Sequence, residues 1–190
     1  MRILKKSAAI VVVLAAITDF IGAGPVYSPQ EARRVVQALS KIQIDSQARA
    51  GQPLQQMDFT ESELNSYIAY RIESEKEEVM KELRLKLFAQ NRIEGKIFID
   101  LSGQKLPLLL KPRMNLYFEG NFEIQNGYIR LDFQKLFLEE RQVPLMLLDM
   151  IIYVASKLGK TDAKSINNWY ELPFGIKDMR TNPGRVTIYY

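Results

Sequence analysis

The dipeptide Asn126-Gly127, set between two runs of alternating side chains, constrains this chain more than any other feature. An Asn-Gly pair suits the two-residue hairpin turn whose twist matches paired antiparallel strands. The partners then follow by arithmetic. Gln125 opposes Tyr128, Ile124 opposes Ile129, Glu123 opposes Arg130, Phe122 opposes Leu131 and Gly120 opposes Phe133. This register puts the apolar partners on one face and pairs Glu123 with Arg130 on the other. A slip of one residue would turn Arg130 and Asp132 inward, so the register is strongly specified. Gly120 is expected to leave room for the Phe133 ring.

The same period of two recurs upstream. Leu83, Leu85, Leu87 and Ala89 alternate with Arg84, Lys86 and Phe88. After a turn at Gln90-Asn91, Ile93, Ile97, Ile99 and Leu101 alternate with Glu94, Lys96 and Asp100. Met114, Leu116, Phe118, Phe122 and Ile124 then oppose a polar series from Arg113 to Gln125. Such alternation predicts an antiparallel sheet with one wet and one apolar face.

Helices are expected on either side. Ser28-Pro29-Gln30-Glu31 reads as a capped start, followed by an apolar stripe of Ala32, Val35, Val36, Leu39 and Ile42. Thr60 and Glu63 form a second capping box, with Phe59 and Leu64 as its hydrophobic staple. That helix is expected to bury Leu64, Tyr67, Ile68 and Ile72, with Asn65 beside them. The glutamates at 73, 75, 77 and 78 read as a solvated helix end, because Lys76 and Lys81 lie among them. Val143 to Leu158 is almost uniformly apolar, opened by Pro144 and closed by Gly159. It is shorter than the roughly 20 residues that cross a bilayer, so an apolar surround is expected. A last hairpin joins Phe174–Met179 to Val186–Tyr190 around Thr181-Asn182-Pro183-Gly184. The fold class expected is α+β: a bent antiparallel sheet around a long apolar helix, with amphipathic helices before it, in one domain over 24–190.

Residues 1–23 are expected to be an export signal. Basic residues to Lys6 precede an apolar run to Ile17 and small residues at Gly22 to Gly24. Cleavage would fall after Ala23, or the segment would be retained as an anchor. Either places the protein in the periplasm or cell envelope.

The 190 residues contain neither cysteine nor histidine. Disulfides, thiol chemistry, imidazole bases and Cys or His zinc sites are therefore excluded. No phosphate loop, dinucleotide fingerprint or nucleophile elbow occurs. Asp149, on the apolar segment, is the one carboxylate placed where burial could alter its acidity. A net charge of +4, without a basic run, is too small for a nucleic-acid footprint. No catalytic residue, cofactor or metal is expected; a binding or structural protein is.

Two stretches carry a family likeness: Asp58-Phe59-Thr60-Glu61-Ser62-Glu63-Leu64-Asn65 before the paired strands, and Leu172-Pro173-Phe174-Gly175-Ile176 leading to Pro183-Gly184-Arg185-Val186-Thr187-Ile188. Together they resemble small bacterial envelope proteins related to the tubular lipid-binding (TULIP) domains. The resemblance implies a bent sheet wrapping an apolar helix, with a groove for acyl chains and no catalytic residues.

Two functions follow as expectations. The first is binding or shuttling of a lipid or other apolar ligand. Its groove would be lined by Leu85, Leu87, Ile97, Ile99, Leu116, Phe118, Phe122, Leu131, Phe133, Leu147, Ile151 and Val154. The second is an envelope scaffold with a filled core that binds another protein through a sheet edge or the first helix. A membrane-docking tip is drawn from Lys105, Leu106, Leu108, Leu109, Leu110, Lys111 and Arg113. Its leucines would enter the acyl boundary while the cations meet anionic headgroups. The competing reading is an edge strand whose leucines turn inward, because edges tolerate proline.

Overall fold

The structure, a computed structural model, describes residues 27–48, 53–103, 106, 110–158 and 168–190, without the side chains of 154–158. The export segment and the Gly159 stop lie outside the described residues.

Helix α1 (Pro29–Ala48) buries Ala32, Val35, Leu39 and Ile42, while Val36 is only half-buried. Ser28 Oγ accepts the Glu31 N–H at 3.3 Å, but the Glu31 carboxylate does not complete a box. It accepts instead from the hydroxyls of Ser62 at 2.7 Å and Ser66 at 2.9 Å. The Ser28 N–H in turn donates to Ser66 Oγ at 3.0 Å. The packed neighbour helix supplies better donors than the cap does.

That neighbour is α2 (Glu61–Ser74), which follows strand β1 (Gln56–Thr60). Both halves of the Thr60–Glu63 capping box are formed. The expected buried face is corrected: Leu64, Tyr67 and Ile72 are half-buried, while Glu63, Asn65, Ser66 and Ile68 are buried. Polar groups go inside because α2 lies between α1 and a strand edge, where donors and acceptors await them.

Strands β2 (Met80–Leu87), β3 (Arg92–Asp100), β4 (Arg113–Gln125) and β5 (Tyr128–Leu138) form a continuous antiparallel sheet. It is curled into a half-barrel and extended by β6 (Arg141–Gln142) and β7 (Tyr170–Glu171), both on β5. All five pairs expected around Asn126-Gly127 are formed, and Arg130 meets Glu123 at 2.6 Å. A bulge follows between Glu119 and Gly120. A Cβ on Gly120 would lie 2.5 Å from the Asp132 carbonyl oxygen. The glycine is therefore required by backbone approach rather than by the Phe133 ring.

Helix α3 (Met146–Leu158) starts three residues later than expected. The Val143 N–H is taken by the Leu136 carbonyl at 2.9 Å, and Pro144 opens only a turn, accepting from Leu147. Among the described residues no helix is long and apolar enough to cross a membrane.

A second, three-stranded sheet has the order β1, β9 (Arg185–Tyr189), β8 (Asp178–Asn182). The final hairpin is thus present, but its first strand begins at Asp178 rather than Phe174 and runs on to Asn182, so that the turn is the two residues Pro183-Gly184. Phe174 is not in a strand: it stands at φ 60° in a 3₁₀ turn, Pro173–Gly175. Strand β1 was not expected; its short Met57/Phe59 alternation pairs with Ile188 and Val186.

Candidate apolar-ligand site

The sheet's apolar face and α3 meet in one hydrophobic cluster. Of the expected groove residues, Leu85, Leu87, Ile97, Ile99, Leu116, Phe118, Phe122, Leu131, Phe133, Leu147 and Ile151 are all buried within it. Val154 lies among the side chains outside the description. The period of two drives this: every second residue of β2 to β5 turns the same way, and hydrocarbon lines that whole face. Phe118 and Phe133 meet edge to face with centroids 4.9 Å apart.

Helix α3 contributes Leu147, Leu148 and Ile151 to the cluster. Its other side is open, with Met146 72% and Tyr153 52% exposed. Asp149 is half-buried. Burial, and then the Asp149 charge, push the nearby Tyr170 phenol above its usual range.

In the segment expected as a docking tip, Leu110 is buried and Leu106 packs against the core. Arg113 pairs with Asp100 at 3.0 Å, and Lys111 is exposed. Lys105, Leu108 and Leu109 lie outside the described residues.

The two stretches that carry the family likeness are joints of the fold. Glu61 and Asn65 reach from α2 to the free edge of β2. Leu87 N–H donates to Glu61 Oε2 at 2.7 Å. Leu85 N–H donates to Asn65 Oδ1 at 2.7 Å, and Asn65 Nδ2 donates to the Leu85 carbonyl at 2.9 Å. Asn65 thus imitates a neighbouring strand, one means of blunting an edge. Burial raises the Glu61 carboxyl above its usual range, although the Leu87 N–H and Lys86 oppose the rise. Glu63 is buried between its own cap and Arg34, which it meets at 2.5 Å. The Pro183-Gly184 turn closes the joint: Glu61 N–H donates to the Gly184 carbonyl, and Gly184 N–H to that of Leu87. The 3₁₀ turn seals the end of α1. Gly175 lies so close to Ser46 that no Cβ would fit.

Sequence reading left Asn65 beside a buried face. Its signal was a polar residue inside an otherwise amphipathic helix start, but its partner lies 20 residues away. Clefts among the described residues lie elsewhere. One, of about 360 Å³, opens between α2 and β2. Another, of about 440 Å³, lies between the Gln90-Asn91 turn and β8. Neither is lined by the expected groove residues. Among the described residues, no three carboxylates are grouped to hold a metal ion.

Fold and site together define a small α+β protein with a half-barrel sheet, an all-hydrocarbon inner cluster and a helix buried on one side. The chain matches no protein-family model and no curated protein sequence.

Proposed function

We propose that this is an exported, non-catalytic protein of the bacterial envelope that holds a lipid or other apolar ligand between the curled sheet and α3, in the manner of TULIP-like domains. One observation carries the reading. The sheet's inner face is continuous hydrocarbon across four strands, and its helical cover is held by apolar side chains and exposed on its far side.

Apolar contacts are non-directional, so an acyl chain can replace helix side chains against the sheet at small cost. In this reading the cluster is closed when empty, and α3 moves out as the ligand enters. The sequence supports a role without catalysis: it offers neither cysteine nor histidine and no catalytic motif.

Native mass spectrometry of protein purified from a membrane-containing host tests the proposal. A population heavier by one phospholipid or fatty acid, lost on mild activation, is expected. A single apo mass after purification and after incubation with phospholipid vesicles contradicts it.

A further inference from the structure

We propose that strand β1 is the edge through which two copies of this chain pair, antiparallel and about a two-fold axis at Met57. This pairing is independent of the lipid reading. A sheet edge offers main-chain groups that another strand can take, and folded proteins cover or blunt such edges. The edges of the three-stranded sheet, β8 and β1, are treated unequally. On β8 the outward N–H groups are taken by side chains. Met179 N–H donates to Asp178 Oδ1 at 2.9 Å, and Thr181 N–H to Asn91 Oδ1 at 3.0 Å.

Strand β1 has no such cover along most of its length. Gln55 and Tyr190 exchange both main-chain bonds, at 2.8 and 3.0 Å. By alternation Met57 and Phe59 also bond towards β9, while Gln56, Asp58 and Thr60 aim their N–H and carbonyl groups away from it. The Thr60 N–H is taken by the Glu63 carboxylate at 2.8 Å. Among the described residues, no group takes those of Gln56 and Asp58, and both residues are exposed.

A second copy of β1 fits this edge. Reciprocal main-chain bonds require outward residues to stand opposite each other. Antiparallel pairing about Met57 does this twice: Gln56 faces Asp58 of the second copy, and Asp58 faces its Gln56. The result is one continuous sheet running from β8 of one copy to β8 of the other. The α2 cap at Thr60 ends the contact, so the pairing is short and reversible.

Side chains select the register. In both pairs an amide that donates faces a carboxylate that accepts. Asp58 takes the Thr187 hydroxyl at 2.7 Å and meets Arg185 at 3.4 Å, and a carboxylate has lone pairs for a further donor. Centring the pairing on Asp58 would oppose two carboxylates, and centring it on Gln56 would set Leu54 against Asp58. About Met57, the two half-buried methionines meet on the core side. Leu54, 57% exposed, comes opposite Thr60 of the second copy and gains cover.

Sedimentation equilibrium of the full chain reads the association, and amide exchange reads where it occurs. A reversible monomer–dimer equilibrium is expected, with the Gln56 and Asp58 amides slowed as concentration rises and the capped Thr181 amide unchanged. The chain has no cysteine, so an introduced one reports on its own position alone. Met57→Cys should cross-link to a dimer on mild oxidation, because such a pair has Cα atoms about 4.5 Å apart, within the roughly 4.4–6.8 Å that a disulfide spans. Arg180→Cys, on β8, should not. Gln56→Pro removes an outward donor that an edge strand can spare, and should abolish the dimer while the protein stays folded. If that variant does not fold, Gln56→Asp should weaken dimerisation at least about threefold and Gln56→Lys strengthen it by about as much. A monomer at millimolar concentration, unchanged Gln56 and Asp58 exchange in a dimer, no Met57→Cys cross-link, or unchanged association in the Gln56 variants each overturns the proposal. Protection of those amides that does not vary with concentration overturns it in favour of cover by the chain itself.

Discussion

Helices α2 and α3 both lie against the half-barrel, and they are attached in opposite ways. Helix α2 is fastened by directional bonds: Glu61 to Leu87, Asn65 to Leu85, and Ser62 and Ser66 to Glu31. Each such bond has one geometry, so α2 has one place to sit. The described side chains of α3 enter the core as Leu147, Leu148 and Ile151, which accept many neighbours. Directional bonds thus close the edge of β2 at Leu85 and Leu87, while apolar contacts hold α3.

The sharpest way to break the comparison is Asn65→Ala. It leaves the buried N–H and carbonyl of Leu85 without partners and should cost about 2–5 kcal/mol, read by urea denaturation. Ile151→Ala in α3 should cost less, about 2 kcal/mol, at the low end for a buried aliphatic truncation because the helix can resettle. Equal losses would erase the distinction. Thr60→Ala, which removes the α2 cap, should cost about 1 kcal/mol. Met146→Ser, on the open side of α3, should stay within about 0.5 kcal/mol.

The smallest effect is a pH dependence away from both helices. The Ser102 hydroxyl and N–H, and then Arg113, hold the Asp100 carboxyl at about 2. Its folded acidity exceeds its unfolded one, so the stabilisation is present above the unfolded pKa near 4 and lost as pH falls through about 2. Asp100→Asn should flatten that part of the stability–pH profile in thermal melts.

The contrast between the helices also marks what the sequence disclosed. Local chemistry was legible: Asn126-Gly127 determines a register, and Thr60 with Glu63 writes a capping box within four residues. The period of two identified the hydrocarbon face, because each strand carries that information in its own neighbours. The α2 fastening was not legible. Asn65 finds Leu85 only after the chain has turned back on itself, and periodicity says nothing about a polar side chain that stands in for a strand. The bulges at Lys81 and Gln134 escaped for the same reason, since a bulge is a property of two strands. Strand β1 was missed because five residues of mild alternation become a strand only when β9 lies beside them. The cluster's residues were legible, while its closure depends on packing that no single segment contains.

Amide hydrogen exchange with peptide-level readout, with and without phospholipid vesicles, tests the central claim most directly. Without lipid, α3 should exchange faster than α2, whose bonds hold it to β2. With lipid, exchange in α3 and in the strands of the curled sheet should change while α2 stays constant. Protection of α3 equal to that of α2, unaltered by vesicles, would contradict the account.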